Sequence, residues 1–412
     1  MNPKRLVGCL LLAVAGLLLL LGLLPGEAAA GTTPPLNLSG NGSYARFPVI
    51  ARAADGTLCA AWTDNRDSIW NIYFACSTDN GRSWSSPGRV ASTSLESLYP
   101  TLLFSGTVPL FFWTDTQNQV FTIYQAVGTS VLVAAPEILL PIPRPSVARG
   151  NDGSLYLMFA NRSGSGQPGD IYYVRRPAGD GAWTTATVVF THTQVGSMDP
   201  RIAAGPVGTL HVVWRESLLA RDEIRYMTGT VGTGGEVTWS PSVTASDVIS
   251  LTWQPDIAVT ANGDVHIVWT EIEEERYLAY TRFQAGGGRT APRRLGGPLS
   301  VNQYNPYHPA PSIAAEGNRI CVAWNAVPAG AGAEDIFLSC SEDGGETWSP
   351  PENLTRTSAM SLRPSIALAP DGSVHVVWQE LAGADYNYHY RVYYTRWLPY
   401  SVYLPLVMRN AR

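Results

Sequence analysis

Between Phe47 and Trp84 the chain reads as short apolar runs separated by small polar turns. Phe47–Ala53 is rich in strand formers, Ala54-Asp55-Gly56 is a hairpin turn, and Thr57–Thr63 is a second run built around Trp62. Asn71–Ser77 is a third run, and a Gly-containing turn over Thr78–Ser83 delivers Trp84 to a fourth. The second run is apolar almost throughout, as in Val374-His375-Val376-Val377-Trp378 of a later copy. A strand with one wet face alternates, so these strands are expected to be covered on both faces.

The unit repeats. Leu362–Glu380, LRPSIALAPDGSVHVVWQE, is its cleanest strand–turn–strand copy. The aromatic residue ending the second strand recurs as Trp62, Trp113, Phe159, Trp214, Trp269, Trp324 and Trp378, spaced 46 to 55 residues apart. Seven copies, each with room for four short strands, predict an all-β chain: a β-propeller of four-stranded antiparallel blades. Seven blades are expected, with six as the alternative. The last copy supplies only three strands, ending in Tyr390–Arg396. Pro35-Leu36-Asn37-Leu38-Ser39 resembles Pro351-Glu352-Asn353-Leu354-Thr355 of the sixth copy, so the N-terminal segment is expected to complete the last blade and close the ring.

The ends differ from the repeat. Lys4 and Arg5, an apolar run from Leu6 to Leu24 and Ala28-Ala29-Ala30 read as a secretory signal peptide expected over residues 1–30, with an uncleaved membrane anchor as the alternative. The propeller is expected over 31–398 and a C-terminal tail over 399–412. The mature domain has no second spanning segment, so a secreted or cell-surface location follows. In that setting Cys59, Cys76, Cys321 and Cys340 are expected to be oxidised. Cys59 and Cys321 each lie three residues before the anchor Trp, and Cys76 and Cys340 each precede a Ser. Of the three possible connectivities, Cys59–Cys76 with Cys321–Cys340 is the one that respects the repeat.

The 412 residues are 45% hydrophobic and 15% charged, with net charge −5. That balance excludes a basic nucleic-acid footprint and a disordered polyelectrolyte. Lys4 is the only lysine, which removes Schiff-base and P-loop lysine chemistry from the mature domain. His211, His266 and His375 share one repeat position in three blades, without ligand spacing, and indicate structural equivalence rather than a metal site. No metal and no cofactor are expected.

Two turns carry the pattern S-x-D-x-G-x-T-W: Ser77–Trp84, with Ser in place of Thr, and Ser341–Trp348 in full. Degenerate versions end at Trp183 and Trp239. The Asp accepts backbone N–H bonds within the turn, the Gly takes a positive φ, and the Trp anchors the hairpin. With these Asp boxes the chain resembles the sialidase (neuraminidase) superfamily of BNR-repeat proteins, most strongly over Arg46–Pro87. The resemblance implies that the boxes are structural and lie opposite the functional face. It also implies an arginine set for a carboxylate. Arg46-Phe47-Pro48 matches the family's R-I-P motif, and Arg66 a second arginine in the following loop. Arg144 and Arg363 precede first strands on the same face, and Tyr99, Trp253, Tyr307, His308 and Tyr386 add aromatic surface.

Asp67 and Glu380 are the candidate acid/base pair that the resemblance implies, with Asp67 closer to the second arginine than the family pattern has it. The family's tyrosine nucleophile has no counterpart, the local sequence being Arg363-Pro364-Ser365-Ile366, and seven copies exceed the six-bladed sialidase domain. Asp64, Asp115, Glu216, Glu271 and Glu380 all lie two residues after an anchor Trp, a recurrence that reads as loop capping. The expectation is a monomeric, exported propeller that binds a glycan or other anionic polymer through Arg46, Arg66, Arg144, Arg363 and Tyr307 without hydrolysing it. The alternatives are an exo-α-sialidase-type glycoside hydrolase and a structural or protein-interaction propeller.

Overall fold

In the first repeat, strands Ala45–Arg52, Leu58–Asp64 and Asn71–Ser77 pair antiparallel in sequence order, and Gly88–Arg89 adds a short outer strand. The fourth strand therefore starts after Trp84, which packs from the turn instead. The computed structural model describes residues 31–399, apart from 43, 92–94, 118–119, 128–129, 139–143, 163–167, 180, 248–250, 298, 300–309, 329 and 383–388. The signal peptide expected over 1–30, most of the tail, Tyr307, His308 and Tyr386 lie outside the described residues.

Seven such sheets form a seven-bladed β-propeller. Among the described residues the sole helical element is a turn at Pro206–Gly208, and no helix is long and apolar enough to cross a membrane. In the last blade, Ser361–Leu368, Val374–Leu381 and Tyr390–Leu398 are joined by the N-terminal strand Leu36–Asn37, which pairs with Tyr394 and Tyr393. Leu38 N–H donates to the Val392 carbonyl at 2.8 Å, and Ser39 Oγ accepts from Val392 N–H at 3.0 Å. Thus the ring closes by hydrogen bonds between chain segments some 350 residues apart.

The core lies between blades. Second strands such as Leu58–Asp64 and Arg319–Ala326 are buried at every position because each is sandwiched by its neighbours. Six of the seven anchor aromatics are tryptophans, and all seven are 2% exposed or less. One apolar cluster spans the last and first blades through Val377, Tyr394, Trp62 and Leu58, and comparable clusters fill the other interfaces. Burying each indole fully is worth about 2–3 kcal/mol on area alone.

A buried indole needs a partner for its N–H, and in four blades the acid two residues later supplies it. Trp62 donates to Asp64 at 2.9 Å, Trp113 to Asp115 at 2.6 Å, Trp269 to Glu271 at 3.2 Å and Trp378 to Glu380 at 3.2 Å. The same acids accept from serines near the start of the first strand, as Ser97 does to Asp115 and Ser361 to Glu380. The W-x-D/E recurrence is a cap inside those four blades.

Both disulfides join directly opposed residues of the second and third strands, Cys59 with Cys76 and Cys321 with Cys340. The pairing is the one that the repeat predicts. Each closes a short hairpin, for which loop entropy gives about 3 kcal/mol.

At the Asp boxes, the carboxylate of Asp79 accepts from Ser83 N–H at 2.9 Å, Ser83 Oγ at 2.6 Å and Ser77 Oγ at 2.8 Å; Asp343 is held in the same way by Thr347 and Ser341. These donors lower the Asp79 carboxyl to about 2 and the Asp343 carboxyl further still. Gly81 and Gly345 take φ of +80° and +87°, and a Cβ on either would overlap a tyrosine hydroxyl of the preceding blade. Those hydroxyls, Tyr394 and Tyr280, share hydrogen bonds of 2.8 Å with His375 and His266, and Trp84 and Trp348 stand edge-on to the same tyrosine rings. The repeated histidines are thus half of a latch between blades. Burial pushes His211 and His266 down to about 4 and His375 to about 3.

Candidate functional site

All seven first strands carry a proline at one register: Pro48, Pro100, Pro145, Pro200, Pro255, Pro311 and Pro364. Proline has no N–H to give the ladder, so pairing must break there. In five blades the register shifts across the X-Pro pair, between Arg46 and Val49, Leu98 and Thr101, Met198 and Arg201, Trp253 and Asp256, and Leu362 and Ser365. In the other two, the first strand begins immediately after the proline, at Ser146 and Ser312.

At each of the five bulges the residue before proline has a left-handed backbone: Phe47 (φ 58°), Tyr99 (54°), Asp199 (53°), Gln254 (49°) and Arg363 (54°). Side chains rarely adopt this region, and a following proline restricts it further; such strain is of order 1–3 kcal/mol per residue. Its recurrence around one axis turns residue X out of the strand alternation. The result is an axial pocket of about 270 Å³, lined by first-strand residues of all seven blades and including Phe47, Tyr99, Arg144, Gln254 and Arg363.

The pocket wall is chemically uneven. Across the last, first, second and third blades run Arg363, Phe47, Tyr99 and Arg144. The Arg363 guanidinium lies 5.1 Å from the Phe47 ring centre, the Phe47 and Tyr99 rings are 4.6 Å apart, and Arg144 lies 5.2 Å from the Tyr99 ring. Arg46 approaches from outside the pocket wall, 5.4 Å from the Phe47 ring and 3.8 Å from Trp70. In the fourth and fifth blades Arg215 is instead 3.7 Å from Asp199 and 3.3 Å from Asp222, beneath Trp253 at 4.4 Å. Arg201 and Asp256 face each other at 3.8 Å, and desolvation in the pocket wall pushes the Asp256 carboxyl up.

Below the X-Pro ring, polar side chains tie adjacent blades. Ser365 Oγ accepts from Ile50 N–H at 3.2 Å, Ser146 from Ile202 at 3.1 Å, Ser312 from Ile366 at 3.3 Å, and Asp256 from Ile313 at 3.0 Å. These bonds fix the first strands against one another, so the ring above them is preorganised.

Of the residues singled out in the sequence, Arg46, Arg144 and Arg363 meet around the Phe47–Tyr99 pair. Arg66 does not join them: it forms a two-point pair with Asp64 (2.6 and 3.1 Å), donates to the Ser39 carbonyl at 2.8 Å, and lies 4.3 Å from the Tyr73 ring. Asp67 accepts from Tyr73 Oη at 2.5 Å and Arg89 at 3.0 Å, contacts that hold its carboxyl low, while burial and Asp67 push the Tyr73 phenol up to about 12. Glu380 caps Trp378 and Ser361. Neither acid lines the axial pocket. Phe47, Gln254, Arg201 and Asp256 are pocket residues that motif reading passes over. The shared proline register is the signal that finds them.

This seven-bladed ring is similar to solved structures at low identity. A protein of unknown function from Dyadobacter fermentans matches with TM-score 0.56 at 12% identity, covering 90% of this chain and 99% of that one. A polysaccharide lyase described as a PL25 ulvan lyase matches at 0.58, with 12% identity and coverage of 90% and 94%. The leech intramolecular trans-sialidase, complexed with 2,7-anhydro-Neu5Ac, matches at 0.50, with 14% identity and coverage of 89% and 70%. The fold is that of a sialidase-like β-propeller. No family model and no curated protein matches the sequence. Within the sialidase-like propeller, the axial pocket is where strained backbone, cationic charge and aromatic surface coincide.

Proposed function

We propose that the protein is an exported, carbohydrate-binding propeller whose axial pocket takes an anionic glycan without cleaving it. The observation that carries this reading is the Arg363–Phe47–Tyr99–Arg144 arc across four consecutive blades. The Arg144 guanidinium, set against the Tyr99 ring, carries N–H donors suited to a carboxylate or sulfate. The rings offer an apolar surface to the C–H face of a sugar. The polysaccharide lyase and trans-sialidase neighbours support a carbohydrate-related role by analogy of fold. Two disulfides and the apolar N-terminal run support export.

Binding without turnover rests on the pocket's acids. Asp256, which lines the pocket, is tied to Ile313 N–H and faces Arg201, and Asp199, outside the lining, faces Arg215. Neither presents a second carboxyl arranged for the acid and nucleophile or base roles of glycoside hydrolysis. The test is calorimetric titration with acidic oligosaccharides, run beside an assay for new reducing ends and unsaturated products. Saturable, salt-sensitive binding without products is expected, weakened about tenfold or more by Arg144→Gln. Turnover of a fluorogenic sialoside that disappears in Arg46→Ala would replace this reading with the hydrolase.

A further inference from the structure

Resting on the anionic-glycan reading above, we infer that Trp70, with Ile69 beside it, forms a second sugar-binding platform at the mouth of the axial pocket. The ligand is then an acid-bearing oligosaccharide whose next residue stacks on the indole. The path from the pocket to this platform is continuous. Phe47 lines the pocket and pairs with Tyr99 across the first and second blades at 4.6 Å. The Arg46 guanidinium lies 5.4 Å from the Phe47 ring and 3.8 Å from the Trp70 ring, so two contact distances separate the indole from the pocket wall. The Trp70 carbonyl accepts from Ser97 N–H at 2.8 Å, which holds the residue at the seam between those same two blades.

The loop between Asp64 and Asn71 is braced by its own polar residues. Arg66 is tied to Asp64 and to the Ser39 carbonyl, and Asp67 to Tyr73 Oη and Arg89. Ser68 N–H donates to the Asn65 carbonyl at 2.8 Å, and Ser68 takes a left-handed backbone, φ 70°. Beyond that turn Ile69 is 36% exposed, and Trp70 is half-buried with Arg46 against its ring. Among the described residues no side chain or backbone group accepts from the Trp70 indole N–H. A flat apolar ring with an N–H at its edge suits the C–H face of a pyranose and one of its hydroxyls. Arg46 backs that ring and is not required to hold an anion. Because the loop is already fixed, little ordering opposes binding. The seam between the fourth and fifth blades differs: there Trp253 covers Arg215 beside Asp199 and Asp222, whose carboxylates disfavour an acidic chain.

The full chain is titrated calorimetrically, in low and in high salt, with N-acetylneuraminate beside sialyllactose and with galacturonate beside trigalacturonate. In at least one pair the oligosaccharide is expected to bind about fivefold or more tighter than its monosaccharide. Trp70→Ala is expected to reduce that ratio to about twofold or less while leaving the monosaccharide bound. Trp70→Phe, which keeps a ring, is expected to retain most of it. Melting curves establish that each variant is folded; if Trp70→Ala does not fold, Trp70→Leu tests the same point with apolar bulk and no flat ring. The ratio is expected to persist in high salt, because stacking carries no charge, whereas the affinity for the monosaccharide falls. Equal affinity within both pairs, a ratio untouched by the substitution, or a ratio that salt abolishes overturns the inference while the anionic-glycan reading stands. No binding of any acidic ligand by the wild-type protein overturns both.

Discussion

At the Asp-box end of the blades, Asp79 and Asp343 are enclosed by the donors of their own turns, and their glycines and tryptophans press on tyrosine–histidine pairs of the preceding blade. At the axial pocket, Arg363 and Arg144 stack on rings and line open space, while five residues hold left-handed backbone before proline. The first region engages its carboxylates within its own turns. The second collects strain and cationic side chains that a blade does not require, since the first strands Ser146–Arg149 and Ser312–Glu316 pair without a bulge, over fewer residues. Stability and binding are therefore separable, and substitutions at the two regions are expected to move different observables.

Acid is expected to give the largest effect, through the buried histidines. His211, His266 and His375 have folded values near 4, 4 and 3, below the ordinary 6.5. From pH 6.5 down to about 4 for His211 and His266, and to about 3 for His375, the unfolded chain binds protons at these positions and the folded chain does not, so stability falls as pH is lowered through that window and these groups add no further loss below it. Each imidazole contributes on the order of 3 kcal/mol. Denaturant titrations at pH 7 and pH 5 check the sign, and His266→Gln, which keeps a partner for Tyr280, is expected to flatten the dependence. An unchanged midpoint between those pH values would remove the latch from the account of stability.

Next comes Gly345→Ala. The added Cβ meets the Tyr280 hydroxyl, and the backbone at φ +87° disfavours any side chain. Overpacking and left-handed strain together predict a loss of about 3 kcal/mol or more. Urea unfolding measures it, and affinity for an acidic oligosaccharide in the folded fraction is expected to stay at the wild-type value. Removing a disulfide in Cys321→Ser/Cys340→Ser is expected to cost a similar or slightly smaller amount, about 3 kcal/mol, again with binding unmoved.

How much of this was legible in the sequence follows from the range of each interaction. Trp62 and its six counterparts, the W-x-D/E caps and the cysteine positions are local features repeated at one period, and they disclose blade number and disulfide pairing directly. The Arg66–Asp64 pair spans two residues and was equally readable, yet the family motif drew attention to Arg66 as a ligand-binding residue. The arc was not legible. Arg363 and Phe47 are far apart in sequence and meet only because the N-terminal strand closes the ring. The proline register marks a break in pairing, but a sequence does not state that the preceding residue turns left-handed and points to the axis.

The smallest expected effect tests the strain at the pocket. Gln254 holds φ 49° before Pro255, and its side chain lines the pocket outside the arginine arc. Glycine accepts that backbone freely, which favours Gln254→Gly by about 1 kcal/mol. The flexibility gained by the unfolded chain and the loss of the 8%-exposed side chain oppose it by a similar amount. A net change within about 1 kcal/mol of zero is therefore expected in urea unfolding. Gln254→Ala removes nearly the same side chain but retains the strained Cβ, so it should be less stable than Gln254→Gly by about 1 kcal/mol. That ordering, glycine above alanine, is the signature of a left-handed residue; the reverse order, expected where φ is negative, would mean that the bulge relaxes in solution. Affinity for an acidic oligosaccharide should be nearly the same in both variants, because Gln254 stands outside the Arg363–Phe47–Tyr99–Arg144 arc.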